Sequence, residues 1–270
     1  MTSTFEWLAR AGYAARGAVF LLVAGLALFS GVGGGRPDTR NALDSLLAQP
    51  FGRVWLGLIG LGLAGFVAWR LAQSLGNADN HGPGAKGLVI RAALFGSAAT
   101  YAGLAWYALA HALSAPSGGG GGGGEQGIAA WAMAQPFGRV LAFAIGLGFV
   151  VGGAVTAWKG MTQRFRRYLR LSADRHGPLA LLCIYGLAAR GLVFAIVGMF
   201  FLYAAFRLDP QQAGSTADAL AWIRGLPFGA LLYMLVAAGL AAFGLYNFVE
   251  ARTRIVEAPS LARARTSLPV

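Results

Sequence analysis

Gly12-Tyr13-Ala14-Ala15-Arg16-Gly17-Ala18-Val19-Phe20 opens the first long apolar run of this 270-residue chain, and its pattern returns twice. It is read again as Gly87-Leu88-Val89-Ile90-Arg91-Ala92-Ala93-Leu94-Phe95 and as Gly186-Leu187-Ala188-Ala189-Arg190-Gly191-Leu192-Val193-Phe194. Written once, the pattern is G-x-x-x-R-[GA]-x-[VL]-F. A second motif alternates with it: Pro50-Phe51-Gly52-Arg53, Pro136-Phe137-Gly138-Arg139 and Pro227-Phe228-Gly229-Ala230. Twelve residues after each of these prolines stands a glycine, at Gly62, Gly148 and Gly239. Two motifs alternating three times make an internal triplication, and the whole organisation follows from it.

Each motif introduces an apolar stretch. The six stretches run over about Ala11–Gly31, Val54–Leu75, Leu88–Leu113, Val140–Trp158, Leu179–Phe206 and Phe228–Val249. About 20 such residues cross a hydrocarbon core of about 30 Å as a helix. In lipid the backbone must satisfy its own hydrogen bonds, and no alternation at period two suggests a barrel. Composition agrees: 57% of residues are hydrophobic, 12% are charged, and mean hydropathy is +0.59. A soluble domain carries about 25% charged residues. The expected fold is therefore an all-α integral membrane protein. Six transmembrane helices come from three tandem, parallel-oriented hairpins, each with a short interfacial helix before Pro-Phe-Gly. The repeats span 7–76, 82–160 and 178–254, and 255–270 reads as a disordered tail. The first span is too long for the core of a signal peptide and lacks a clean cleavage site, so it is expected to remain.

The parts of the repeat have readable physics. Arg16, Arg91 and Arg190 stand one or two turns inside their spans, where long stems can snorkel to lipid headgroups. Pro50, Pro136 and Pro227 sit at helix starts, where a missing N–H costs little. With Phe51, Gly52, Phe137, Gly138, Phe228 and Gly229 they form three corners. The stretches 41–49, 125–135 and 215–226 precede those corners and suit interfacial helices. Gly118–Gly124 reads as a flexible linker without the Lys-Ser/Thr of a phosphate loop. The remaining glycines read as helix-packing positions.

Charge sets an expected orientation. With both termini on one side, that side holds 16 of the 22 Lys and Arg residues, while the ten acids divide evenly. The positive-inside rule puts both termini in the cytoplasm. The densest basic cluster, Arg164, Arg166, Arg167 and Arg170, is interleaved with Phe165, Tyr168 and Leu169. As a short helix it would lay its apolar side into the interface and its arginines beside phosphates. The sequence pI near 10.8 then reflects topology and anionic lipid rather than nucleic acid.

The tripled G-x-x-x-R-[GA] and Pro-Phe-Gly hairpins resemble a bacterial membrane family catalogued as domain of unknown function 1206, over roughly Trp7 to Arg254. The resemblance implies six spans in three repeats, a bacterial inner membrane, and no established activity. Ala230 departs from the arginine that the other two corners carry.

Few residues suggest chemistry. Ser97, Thr100, Leu104, Tyr107 and His111 step by three or four and form a polar stripe on one helix face, suited to a cavity or to contact with a neighbouring helix. Asp79-x-His81-Gly82-Pro83 recurs as Asp174-x-His176-Gly177-Pro178; a turn explains both, and a metal or acid–base site would require the copies to converge. Cys183, the sole cysteine, reads as packing. No acid lies in the middle of a span, no nucleophile–base pair is visible, and neither metal nor cofactor is expected. The leading expectation is a non-enzymatic protein with a lipid-interacting or membrane-assembly role, whose partners are the phospholipid bilayer and its anionic lipids, with homo-oligomerisation open. A channel or carrier for a neutral or apolar solute around a pseudo-threefold axis is the first alternative, and a membrane enzyme the second.

Overall fold

The computed structural model describes residues 4–33, 39–79, 82, 84–113, 132–135, 137–169, 177–207, 209 and 212–254. Among them are eight α-helices: α1 (Thr4–Gly33), α2 (Thr39–Leu47), α3 (Gly52–Ser74), α4 (Ala85–Leu113), α5 (Gly138–Met161), α6 (Pro178–Arg207), α7 (Thr216–Arg224) and α8 (Gly229–Thr253). Six of them (α1, α3, α4, α5, α6 and α8) are long and apolar enough to cross a membrane. The expected six spans stand. The proposed tail 255–270, the glycine run, Pro136, Arg170, His81, Asp174 and His176 lie outside the described residues.

The short helices behave as the corners require. Helix α7 begins with a capping box: Asp218 N–H donates to Ser215 Oγ at 3.3 Å, and Ser215 N–H donates to Asp218 Oδ2 at 2.8 Å. It ends just before Pro227, as α2 ends just before Pro50. At all three corners the phenylalanine adopts a left-handed conformation, with φ of 59°, 63° and 58° at Phe51, Phe137 and Phe228. That reverses the chain into the next span at a cost of about 1–2 kcal/mol per residue. The glycine after it is obligatory: a Cβ on Gly52, Gly138 or Gly229 would collide with the carbonyl of Leu46, Met133 or Arg224.

The spans form a ring in chain order. Helix α1 packs on α3, α3 on α4, α5 on α6, α6 on α8, and α8 closes back on α1. Lipid removes most of the hydrophobic drive between helices, so close backbone approach must replace it. Glycine supplies that approach. Gly146, Gly153 and Gly160, seven apart, seat α5 against α6; a Cβ on Gly153 would stand 2.5 Å from the Gly191 carbonyl oxygen. A Cβ on Gly17 would stand 2.9 Å from the Gly244 carbonyl oxygen, sealing α1 to α8. Within the first and third repeats the joints are equivalent: Gly12 lies on Phe66 as Gly186 lies on Phe243, and Gly62 meets Ala15 as Gly239 meets Ala189.

The second repeat breaks the ring. Helices α4 and α5 do not pack against one another. Among the described residues nothing comes within 4 Å of a Cβ placed on Gly96, Gly103, Gly148 or Gly152. The interlocking side chains are missing. Gly152 stands sixteen residues after its corner proline, where Phe66 and Phe243 stand after theirs, and Val155 holds the place of Trp69 and Tyr246.

Candidate functional site

The ring's interior is aromatic, and two arginines are buried in it. Arg16 and Arg190 are only 5% and 7% exposed, and each stands near the middle of its span. The expectation that they snorkel to headgroups is corrected on this point: their helices turn the motif face inward, where Gly12 and Gly186 let the facing backbones close over it. The Arg16 guanidinium lies 5.1 Å from the centroids of Phe66 and Phe243 and 5.9 Å from Phe20. The Arg190 guanidinium lies 4.1 Å from Phe194, 4.5 Å from Phe243 and 4.6 Å from Phe20. Such faces attract a cation electrostatically, by about 2 kcal/mol or more each when water is excluded. They offer no hydrogen-bond acceptor lone pairs.

Tyr101 serves both arginines, but unequally. Arg16 Nε donates to the Tyr101 hydroxyl at 2.8 Å, and Tyr101 itself packs edge-on to Phe66 at 4.8 Å. Arg190 also interacts with the Tyr101 hydroxyl, but its Nη1 is buried without a hydrogen-bond partner among the described residues. Both guanidiniums sit on the same Phe20 and Phe243 rings, and they couple electrostatically to each other and to Tyr101. Among the described residues neither forms an ion pair. Glu250 influences Arg16 from a distance but is bonded elsewhere. Five of the six spans therefore contribute to a centre that holds two positive charges and no paired negative one.

Glu250 belongs to a separate network at the end of the bundle that carries both chain ends. Arg254 Nη1 donates to Glu250 Oε1 at 2.9 Å, and Nη2 reaches Asp79 Oδ2 at 3.3 Å. Gln73 Nε2 also donates to Asp79 Oδ2, at 2.5 Å, and Trp69 Nε1 donates to the Tyr13 hydroxyl at 3.0 Å. Burial works against the Arg254 charge, but Tyr13, Glu250 and Asp79 outweigh it and hold its pKa above the ordinary value. This network ties the end of α8 to α1 and α3. It gives Asp79 of the first Asp-x-His motif a structural role.

The other expected sites are dispersed. Arg91 is half-buried and caps α3: its Nε donates to the Ser74 carbonyl at 2.6 Å and its Nη2 to the Leu75 carbonyl at 3.2 Å. The basic cluster is a 3₁₀ turn over Arg164–Tyr168, not an amphipathic α-helix. Gln163, in a left-handed conformation, turns that segment back on the bundle, so Phe165 and Leu169 pack with Cys183, Leu187, Phe243 and Tyr246 instead of facing lipid. Arg164 is exposed and Arg166 half-buried; Arg167 is within the turn. The polar stripe is not one cavity. Thr100 is exposed and donates to the Gly96 carbonyl of its own helix at 3.0 Å, and Ser97 is half-buried. Tyr107 donates to Asp44 Oδ1 at 2.6 Å and stacks near His111, which docks α2 on α4.

The structure also moves the second copy of the arginine motif. Ser74 meets Arg91 and Gly60 meets Leu109. Interpolating between these two contacts sets Val67, counterpart of Gly153 and Gly244, nearer to Thr100–Tyr101 than to Ala92. The matching segment is Gly96-Ser97-Ala98-Ala99-Thr100, beside Gly12-Tyr-Ala-Ala-Arg16 and Gly186-Leu-Ala-Ala-Arg190. Tyr101 was missed for this reason. The clue available in sequence was the small Ala-Ala pair, which Gly87-Leu-Val-Ile lacks.

A family model described as Domain of Unknown Function (DUF1206) matches residues 11–76, 92–163 and 185–254. The chain belongs to that family. The second matched segment of this DUF1206 protein begins after Gly87 and Arg91 and includes Gly96, in keeping with the register found in the structure. A relative described as "Uncharacterized protein YxxB" of Bacillus subtilis (strain 168) is 34% identical over 245 residues, covering 89% of this chain and 88% of its own. No solved structure matches.

Proposed function

We propose that this DUF1206 protein is a non-enzymatic protein of the bacterial inner membrane, with both termini cytoplasmic, that binds an anionic amphiphile at Arg16 and Arg190. One observation carries the reading: Arg190 is buried at mid-span and, among the described residues, has no ion pair and no acceptor for Nη1. A buried donor left unmade costs about 1–3 kcal/mol, more when charged. Ionisable residues inside a membrane are retained for function by default. A phosphate or carboxylate supplies what both guanidiniums lack, and the aromatic cradle suits a cation that is weakly hydrated. In this reading the anionic lipid expected at Arg16, Arg91, Arg190 and the basic cluster is held chiefly by the buried pair. The asymmetry of Lys and Arg supports the orientation.

The neutral-solute channel is less well supported. Phe20, Phe66, Phe194, Phe243 and Tyr101 crowd the level where its path would pass. Native mass spectrometry of protein extracted from membranes containing phosphatidylglycerol and phosphatidylcholine tests the proposal. Wild type and Arg164→Gln/Arg166→Gln retain the anionic lipid selectively, and Arg190→Met loses that selectivity. Equal retention by wild type and Arg190→Met refutes the central site. Loss confined to the surface variant returns lipid binding to the exterior.

A further inference from the structure

We infer that the gap between α4 and α5 is a lateral portal through which the acyl chain of an anionic phospholipid enters the ring while its phosphate engages Arg190 and Arg16. This rests on the anion-binding reading of the arginine pair and adds the ligand class and its route.

The walls of the gap are the same faces that close the other two repeats. In the first, Phe66 lies across Gly12 and Gly62 meets Ala15; in the third, Phe243 lies across Gly186 and Gly239 meets Ala189. The counterparts in the second are Gly96 and Ala99 on α4 and Gly148 and Gly152 on α5. All four are small, and among the described residues nothing lies within 4 Å of a Cβ on any of the three glycines. Helix α4 is held on the α3 side by Gly60 against Leu109 and by Arg91 on the end of α3. Helix α5 is held on the α6 side by Gly146, Gly153 and Gly160. Each wall is thus fixed by its outer neighbour, and the opening does not depend on contact between α4 and α5.

Charge identifies what fills it. The space is apolar at its walls and adjoins the centre that holds Arg190, a residue only 7% exposed whose Nη1 lacks an acceptor among the described residues and whose side chain interacts with Tyr101 on α4 itself. The replacement of the motif arginine by Thr100 keeps a third cation away from that wall. An occupant must therefore be apolar along most of its length and anionic at one end. A phospholipid bearing net negative charge has that form and surrounds the protein on every side. A second copy of the chain would supply the apolar part without an anion, since among the described residues neither α4 nor α5 carries an acidic side chain.

The experiment uses full-length protein in nanodiscs containing phosphatidylglycerol with a photoactivatable acyl chain, read by native mass spectrometry and by peptide mapping of the adducts. The expected adducts fall on Gly96–Gly103 and Gly148–Val155. Gly152→Phe, which restores the side chain of the other two repeats, lowers retention of phosphatidylglycerol at least tenfold and removes those adducts. Val155→Trp restores the counterpart of Trp69 from an exposed position and gives the same result where Gly152→Phe does not fold. Selective retention in wild type with adducts spread over the outer surfaces, or undiminished in a folded portal variant, overturns the portal while leaving the arginine site standing. Absence of selective retention in wild type overturns both. A crosslinked dimer through α4 and α5 in place of lipid adducts assigns the gap to a second copy and overturns the portal.

Discussion

Replacing Arg190 with methionine separates a receptor cation from a structural one, because the two readings predict opposite signs of stability change. The pair of guanidiniums can be no further apart than the 5.1 and 4.5 Å legs to their shared Phe243 ring laid end to end. At that limit and an effective dielectric of about 20, their repulsion is about 1.7 kcal/mol. Removing the charge also removes a buried donor without an acceptor, worth about 1–3 kcal/mol. Against this stands the loss of attraction to three aromatic faces, each contributing about 2 kcal/mol when desolvated, of which methionine recovers about 1 kcal/mol per face through sulfur–aromatic contact. In neutral detergent free of anionic lipid the balance is a stabilisation of about 1 kcal/mol, or about 2–4 °C in melting temperature. With phosphatidylglycerol present at about a hundred times its dissociation constant, wild type gains about 2.7 kcal/mol by mass action and the variant gains little. The curves of wild type and variant therefore cross as anionic lipid is added, which a thermal-shift titration reads directly. A variant that is less stable than wild type at every lipid concentration, by a constant margin, refutes the reasoning and makes Arg190 a cation–π strut.

Two further outcomes follow from the packing. The three glycines placed twelve residues after the corner prolines are expected to diverge: Gly62→Ala and Gly239→Ala, driven into Ala15 and Ala189, lower stability by about 1–3 kcal/mol, whereas Gly148→Ala is neutral or slightly stabilising; equal melting temperatures for all three would deny the open second repeat. Arg254→Gln leaves Glu250 and Asp79 without their cation at buried positions and costs about 3–5 kcal/mol, measured by thermal unfolding, with loss of cooperativity at the α8 end.

Span number, the corners and the short helices before the first and third of them were legible in the sequence because they are local properties. Twenty apolar residues cross, proline stands just before the left-handed phenylalanine that caps each even span, and a glycine follows where no Cβ fits. Helix neighbours were not local. Period and composition say that Gly148 is small, but only the ring order shows that α4 leaves it uncovered while Gly62 and Gly239 are covered. The same limit misplaced Arg16 and Arg190. Distance along a helix from its polar end permits snorkelling, and the direction of the side chain depends on which face the neighbours occupy. Matching a glycine and an arginine four apart aligned Gly87 with Gly12, when the small Ala98-Ala99 pair is the counterpart of Ala14-Ala15 and Ala188-Ala189. Arg91 then proves to be a helix cap and Tyr101, absent from the expected site residues, the partner of Arg16.

A triplicated ring has an intrinsic difficulty as a binding protein. If all three repeats closed alike, three arginines would crowd the axis with no counter-charge and no way in from the bilayer. Divergence of one repeat answers both at once. Thr100 takes the place of the third arginine, and Tyr101 beside it supplies the hydroxyl that fixes Arg16, leaving Arg190 as the cation still short of an acceptor. Gly152 and Val155 take the places of aromatic residues, and the wall beside that cation opens. These changes fall on the same two helices and have opposite effects on closure and charge, so a loss of packing alone does not account for them. They belong together if the second repeat is the one through which a negatively charged, apolar-tailed molecule reaches the arginine pair held by the other two.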